Sequence, residues 1–160
     1  MNKLDETKQI ITDMKDLGAI ACESDYSKCG YHIQAQTDKS RIRDLVTMLY
    51  KNEFYLVFVT AVHVQPSTEI IYQFAHFQKL CRINCRVEVD ASGTMPTISD
   101  IFQGADWHER EVKDLFGTSF TDHPNLIPLI LSEEDANLKP LLKSDKRVKP
   151  SGEVRRQTAE

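Results

Sequence analysis

The side chains best suited to chemistry lie close together in residues 107–114, which read WHEREVKD, and His123 follows soon after. Two carboxylates near an imidazole are groups that general acid–base catalysis uses. His108 and the glutamate after it also begin like a zinc-protease helix. That helix needs a second histidine four residues on, and Val112 stands there, so the two-histidine zinc site is excluded.

Drawn as a helix at about 100° per residue, the segment separates its charged side chains from its apolar ones. The apolar side chains that share one arc are Trp107, Val112, Leu115 and Phe116. Glu111 falls between Trp107 and Leu115, and a carboxylate inside an apolar arc needs a cation or a donor. Glu109 and Lys113 fall elsewhere and are expected to form a solvated i, i+4 pair.

Arg110 and Asp114 lie along the edge of the same arc and suggest a charged lock. The lock could be internal, joining this helix to the sheet or to the chain after Gly117, or it could lie at a subunit interface. Structural ion pairs and catalytic groups both perturb pKa values, so catalysis stays a weaker third reading. His123 precedes Pro124, which favours an extended backbone there, and is expected to contact the helix in a structural role.

No cofactor is expected from the rest of the chain. The four cysteines are Cys22, Cys29, Cys81 and Cys85. Cys81 and Cys85 fall in a predicted strand about 13 Å apart, too far for one metal ion, and no tight cysteine pair suggests zinc or an iron–sulfur cluster. The six glycines form no phosphate-binding loop, and no nucleophile elbow is present.

The composition predicts one globular domain. The chain has 160 residues, of which 41% are hydrophobic and 28% charged, with a net charge of −4. The mild acidity argues against a nucleic-acid partner. The most apolar run, 54–64, is too short for a membrane span, and the N-terminus lacks the apolar core of a signal peptide. A cytoplasmic location is therefore expected.

Apolar periodicity predicts an α+β fold with a mostly antiparallel sheet and helices on one face. The predicted helices are 3–17, 37–51 (capped by Thr37 or Asp38), 97–103 and 106–116 (closed by Gly117). The predicted strands are 19–23, 30–36, 54–64, 69–77 and 81–89.

The character of the chain changes after Leu131. Residues 132–160 contain no aromatic residue, and 139–156 hold seven basic and two acidic side chains. The sequence thus predicts two parts, an α+β domain at 1–131 and an extended basic arm at 132–160 that orders on a partner.

The signature region resembles a known family. The matching residues are 105–117, Phe120 and 123–126, with the pattern E-R-E-x-x-D, a helix-ending glycine, and His-Pro six residues beyond it. The pattern is similar to that of the C subunit of respiratory complex I (NADH-quinone oxidoreductase). The same subunit occurs in membrane-bound, energy-converting nickel–iron hydrogenases and in formate hydrogenlyase. The resemblance spans roughly 97–131.

The resemblance implies a non-catalytic structural subunit without a cofactor. Such a subunit packs on the large catalytic subunit, hydrogenase-like or bearing the quinone site, beside iron–sulfur subunits in the peripheral arm on the cytoplasmic side. The residues assigned to the interface or structural lock are Trp107, Glu109, Arg110, Glu111, Asp114, Phe116, Gly117, His123 and Pro124.

Two features favour the hydrogenase type over NADH dehydrogenase proper. Ile127-Pro128 replace two basic residues of the complex I pattern, and the tail is short. Two alternatives from other classes remain: a small stand-alone acid–base enzyme using Glu109, Glu111 and His123, or a module that binds a peptide strand at a sheet edge.

Overall fold

The computed structural model describes residues 3–64 and 67–143. The elements in chain order are α1 (Lys3–Asp16), β1 (Ile20–Glu23), α2 (Tyr26–Cys29), β2 (Ile33–Gln36), α3 (Ile42–Lys51), β3 (Tyr55–Val64), β4 (Ser67–His76), β5 (Cys81–Val89), β6 (Thr94–Pro96), α4 (Ala105–Phe116), β7 (Ser119–Thr121) and a 3₁₀ turn (Glu133–Asp135).

Five strands form one sheet in the order β1-β2-β5-β4-β3. All its neighbours pair antiparallel except β2 and β5, which are parallel. The predicted α+β class with a mostly antiparallel sheet is confirmed. The sequence analysis missed β6 and β7, which pair in parallel as a separate two-stranded sheet. Strands of three residues are too short to show a period of two.

Side chains alternate along a strand, so one face of the sheet carries the core. The buried apolar side chains come from that face and from the helices packed on it, and include Ile10, Met14, Leu45, Leu49, Ile70, Tyr72, Phe74, Ile83, Cys85 and Val87. On the opposite face, Gln34, Arg82 and Glu88 are exposed. Along β5, exposed and buried side chains alternate as expected except at Asn84, which is buried on the opposite face.

Two predicted helices differ from the structure. Residues 97–103 contain turns in place of the predicted helix, and the Ile98 amide bonds the side chain of Glu109 in α4. Helix α3 begins at Ile42, and neither Thr37 nor Asp38 caps it. The Thr37 amide instead donates to the carbonyl of Arg86, which extends the pairing of β2 with β5.

The start of the predicted arm lies against the domain. The Leu141 amide donates to the Leu115 carbonyl at 3.1 Å, and the Lys143 amide donates to His63 Nδ1 at 3.0 Å. Residues 144–160 lie outside the described residues, so the division at residue 131 stays a prediction. Of the helices within 3–64 and 67–143, none combines the length and apolar character that a membrane crossing needs.

Candidate functional site

Helix α4 carries the signature, and it ends where the sequence predicts. Gly117 adopts a left-handed conformation with φ of 81°, and its amide bonds the Lys113 carbonyl. A Cβ at this position would lie 3.1 Å from Cδ of Lys139, whose side chain crosses the turn. Gly117 therefore both stops the helix and leaves room for the chain that returns over it.

The inner side of α4 buries a carboxylate. Glu109 has no exposed surface, and its Oε1 accepts the Ile98 amide at 2.9 Å. Its Oε2 accepts the Thr97 hydroxyl at 2.5 Å, and that hydroxyl also lies 2.8 Å from Ser99 Oγ. Burial raises the pKa of Glu109 to about 7, although the bonds from Thr97 and Ile98 favour the ionised form.

His123 packs against the same carboxylate, and its side chain is fully buried. Its Nδ1 accepts the Asn125 amide at 3.1 Å, which places the proton of the neutral ring on Nε2. Nε2 lies 3.3 Å from the Asp106 carbonyl and 3.7 Å from Oε2 of Glu109. His123 therefore joins the chain after β7 to the first half of α4.

Tyr72 adds a phenol to the region around Glu109. Its side chain is fully buried, and among the described residues its hydroxyl has no hydrogen-bond partner. Burial first, and then the charge of Glu109, hold the pKa of Tyr72 well above its usual value. This buried polar group was not anticipated from the sequence, because Tyr72 stands in an apolar strand without a local motif.

The helical wheel assigned the two glutamates to the wrong environments. Glu109 is buried, whereas Glu111 is partly exposed and Trp107 is 65% exposed. The predicted Glu109–Lys113 pair is wrong, since Lys113 Nζ donates to the Leu126 carbonyl. The buried side of α4 is centred on Ala105 and Val112, about 40° from Glu109 and well away from Trp107.

On the outer side, Arg110 fastens the returning chain to the helix. Its Nε donates to the Ile127 carbonyl at 3.1 Å, and its Nη2 donates to the Pro128 carbonyl at 3.2 Å. Nη1 lies 3.7 Å from Oδ1 of Asp106, and the guanidinium carbon is 5.7 Å from the Trp107 ring centre. All three nitrogens of the guanidinium thus face groups of this chain.

Asp114 holds the next stretch of the same returning chain. Its Oδ2 accepts the amides of Leu129 and Ile130 at 2.8 Å each and of Leu131 at 3.3 Å. Burial acts to raise the pKa of Asp114, but these three amides outweigh it, so the pKa is lowered. Arg110 and Asp114 thereby tie 127–131 along α4, and a role for them at a subunit interface stays a prediction.

Four large apolar side chains remain exposed beside this outer side, and we call them the outer patch. They are Trp107 at 65%, Ile127 at 54%, Ile130 at 56% and Leu141 at 50% exposure. The contacts of Arg110 and Asp114 and the Leu141 amide place the last three next to the helix. Of the other predicted site residues, Phe116 packs partly against the core and Pro124 is exposed.

The site also contains residues that the sequence analysis did not select. Thr97, Ser99 and Asp106 surround Glu109 and His123. Arg43 from α3 supports the same loop, donating to the Thr97 carbonyl and forming two bonds of 2.8 and 2.6 Å with Asp100. A local signal for this site was available in the sequence. Thr97 and Ser99 flank Ile98 shortly before the helix that carries Glu109 on its apolar side, and their hydroxyls could have been predicted as partners of that carboxylate.

Comparison with known proteins identifies the family. The family described as "Respiratory-chain NADH dehydrogenase, 30 Kd subunit" matches residues 35–150. The C subunit of NADH-quinone oxidoreductase from Xanthobacter autotrophicus is 37% identical over 62 residues, covering 39% of this chain and 30% of that protein. The C subunit from a Roseiflexus species is 39% identical over 71 residues, covering 44% of this chain and 41% of that protein.

A mitochondrial relative agrees with this match. The NADH-ubiquinone oxidoreductase 30.4 kDa subunit of Neurospora crassa is 40% identical over 58 residues, covering 36% of this chain and 20% of that protein. The alignments thus span less than half of these three relatives.

A chain of the membrane-bound sulfane sulfur reductase, an archaeal respiratory membrane complex, shares the fold. The TM-score is 0.77 at 22% identity, over 98% of this chain and 91% of that chain. The family profile covers most of the chain, and the resemblance seen in the signature is confirmed. The protein therefore belongs to the family of the 30 kDa subunit, also called the C subunit, of respiratory-chain NADH dehydrogenase.

Proposed function

We propose that this protein is a non-catalytic structural subunit in the peripheral arm of a membrane-bound redox complex. It docks on the large catalytic subunit, beside iron–sulfur subunits, on the cytoplasmic side, and supports electron transfer by holding the assembly together. The observation that carries this proposal is the difference between the inner and the outer side of the signature helix, α4. Its inner polar groups are bonded within the chain, while the outer patch is left exposed.

The chemistry of the outer patch suits a protein interface. Trp107 is held beside Arg110, and tryptophan and arginine are enriched among the residues that dominate binding energy at interfaces. Large apolar side chains exposed in one region of the surface are typical of interaction sites. The two bonds from Arg110 to backbone carbonyls give the patch a fixed shape before a partner binds.

The acid–base alternative is not favoured. Glu109 and the side chain of His123 have no exposed surface that a substrate could reach. Glu111 lies about 160° around the helix from Glu109, so the three groups do not converge on one point. Family membership also favours a subunit over a free-standing sheet-edge peptide binder.

The finer proposal is a hydrogenase-type complex. Ile127 and Pro128 support it, because they stand where the complex I pattern has two basic side chains, so this chain lacks the cationic contacts that those side chains could make. The complex purified from its native membrane tests this choice. We expect hydrogen formation or consumption with the complex, and NADH oxidation by quinone without hydrogen turnover would contradict the hydrogenase assignment.

The subunit role is tested by co-purification with the large catalytic subunit of the complex from the same organism. Affinity-tagged wild type should retain that subunit in stoichiometric amount. Trp107→Ala should weaken retention at least about tenfold, since a buried interface tryptophan typically contributes about 2 kcal/mol or more. Phe77→Ala removes an exposed aromatic side chain from the β4–β5 turn, 75% exposed against 65% for Trp107, and serves as the matched control. Failure of wild type to retain the large subunit would contradict the proposal.

A further inference from the structure

Glu111 differs from the other charged residues on the outer side of α4, Arg110 and Asp114, which both bond the returning chain. It lies one turn after Trp107 and one turn before Leu115, and it is partly buried. Within 3–64 and 67–143, its carboxylate has no hydrogen bond and no ion pair. The neighbouring acids of the helix differ, since Glu109 and Asp114 each accept at least two bonds from this chain.

The nearby cations of the helix are already engaged. Arg110 donates to the carbonyls of Ile127 and Pro128 and faces Asp106. Lys113 lies on the other side of the helix and donates to the Leu126 carbonyl. Moving either cation to Glu111 would release a bond that holds the returning chain. Glu111 is therefore left partly buried between Trp107 and Leu115, with no bonded cation among the described residues.

A partner that covers the outer patch must also cover this carboxylate. Removing water from an unpaired carboxylate costs several kcal/mol, so an entirely apolar partner surface would be rejected. A cation placed at the same point offsets that cost and adds a charge-assisted hydrogen bond. The carboxylate of Glu111 thus favours a partner surface that carries a positive charge at this point.

We propose that Glu111 is a docking anchor that receives an arginine or lysine side chain from the large catalytic subunit. That cation is set in an otherwise apolar surface that covers Trp107, Ile130 and Leu141. The inference rests on the proposed function and adds to it the location and chemistry of the contact. Because Glu111 has no partner within the described fold, its role lies in assembly and leaves folding of the protein unaffected.

The test measures affinity between this full-length chain and the purified large catalytic subunit from the same organism. Glu111→Gln keeps the shape of the side chain and removes its charge, while Glu111→Lys reverses the charge. We expect dissociation constants raised at least about tenfold by the first change and further by the second. Glu88→Gln, at an exposed carboxylate on the open face of the sheet, is the matched control and should bind like wild type.

Salt distinguishes a covered ion pair from long-range attraction. A pair enclosed by the outer patch is weakly screened, so the ratio between wild type and Glu111→Gln should persist at about 0.5 M salt. A ratio that falls to one at high salt, or equal binding of the two proteins at low salt, overturns the anchor. If wild type itself does not bind the large subunit, the proposed function fails instead. The melting temperature of Glu111→Gln should match that of wild type, and a marked drop would overturn the assignment to assembly alone.

Discussion

Glu109 and Glu111 stand two residues apart, on opposite sides of helix α4. The inner side surrounds Glu109 with an amide, two hydroxyl residues and a histidine, all from the chain itself. The outer side leaves Glu111 partly exposed between Trp107 and Leu115 and, within the described residues, without a bonded partner. The fold therefore satisfies one carboxylate of the signature and not the other, and the proposed anchor gives the second carboxylate its use.

Removing the inner carboxylate is expected to have the largest effect. Glu109→Ala leaves the Ile98 amide unbonded and opens a cavity in the core, so the free energy of unfolding should fall by about 3–5 kcal/mol. Glu111→Ala, the matched change on the outer side, should alter it by no more than about 0.5 kcal/mol. Urea unfolding measures both, and equal losses would break the comparison.

Asp114 connects the outer side of the helix to the returning chain, so its loss should have the next largest effect. Asp114→Ala removes a charged acceptor from three amides and should lower the free energy of unfolding by about 2–3 kcal/mol. Hydrogen exchange at Leu129 and Ile130 should accelerate more than exchange in β4. Unchanged protection at these two amides would show that Asp114 does not hold the segment.

The pH dependence of stability should come from the inner side of the helix. Folding raises the pKa of Glu109 from its ordinary 4.5 to about 7, so between these values the folded state binds more protons than the unfolded state. The free energy of unfolding should therefore fall by about 3 kcal/mol as pH rises through this window.

Comparison of variants isolates the contribution of Glu109 to this pH dependence. Glu109→Gln should flatten the slope of unfolding free energy between pH 4.5 and about 7, because it cannot ionise. Glu111→Gln should keep the wild-type slope. Identical slopes for wild type and Glu109→Gln would show that the buried carboxylate does not change its proton affinity on folding.

The smallest expected effect on stability belongs to the outer patch. Trp107→Ala removes an exposed ring and a stacking contact with Arg110, which contributes about 0.5–1 kcal/mol at exposed sites. Thermal unfolding should therefore change little, while retention of the large subunit falls. A loss of several kcal/mol would assign Trp107 to the fold and remove it from the docking surface.

Much of the fold follows from local patterns in the sequence. The stripe of Leu45, Val46 and Leu49 predicts α3, alternation from Cys81 to Val89 predicts β5 with the bounds that the structure shows, and Gly117 marks the end of α4. The start of α3 was misjudged because Thr37 bonds a strand about fifty residues away. A contact so distant in sequence leaves no local signal.

The candidate site was predictable only in outline. The helical projection counted Trp107 among the buried apolar residues. This shifted the predicted buried side of α4 toward Glu111. Ala105 and Val112 indicate the true centre, and Glu109 lies beside them. The donors to Glu109 come from residues 97–103, which were predicted as helical. The hydrogen bonds that these residues give to the Glu109 carboxylate could therefore not be predicted.

The parallel pairing of β2 with β5 also has a consequence for the order of folding. β3, β4 and β5 are joined by short turns and can pair early, whereas joining β2 to β5 closes a loop of about fifty residues. We therefore expect the β1–β2 hairpin to attach after the rate-limiting step and to detach first. Ala35→Gly in β2 should accelerate unfolding and leave the refolding rate nearly unchanged, whereas slowed refolding would place this hairpin in the nucleus. In a cell, the half of the sheet nearest the N-terminus would then wait for a strand that the ribosome adds much later.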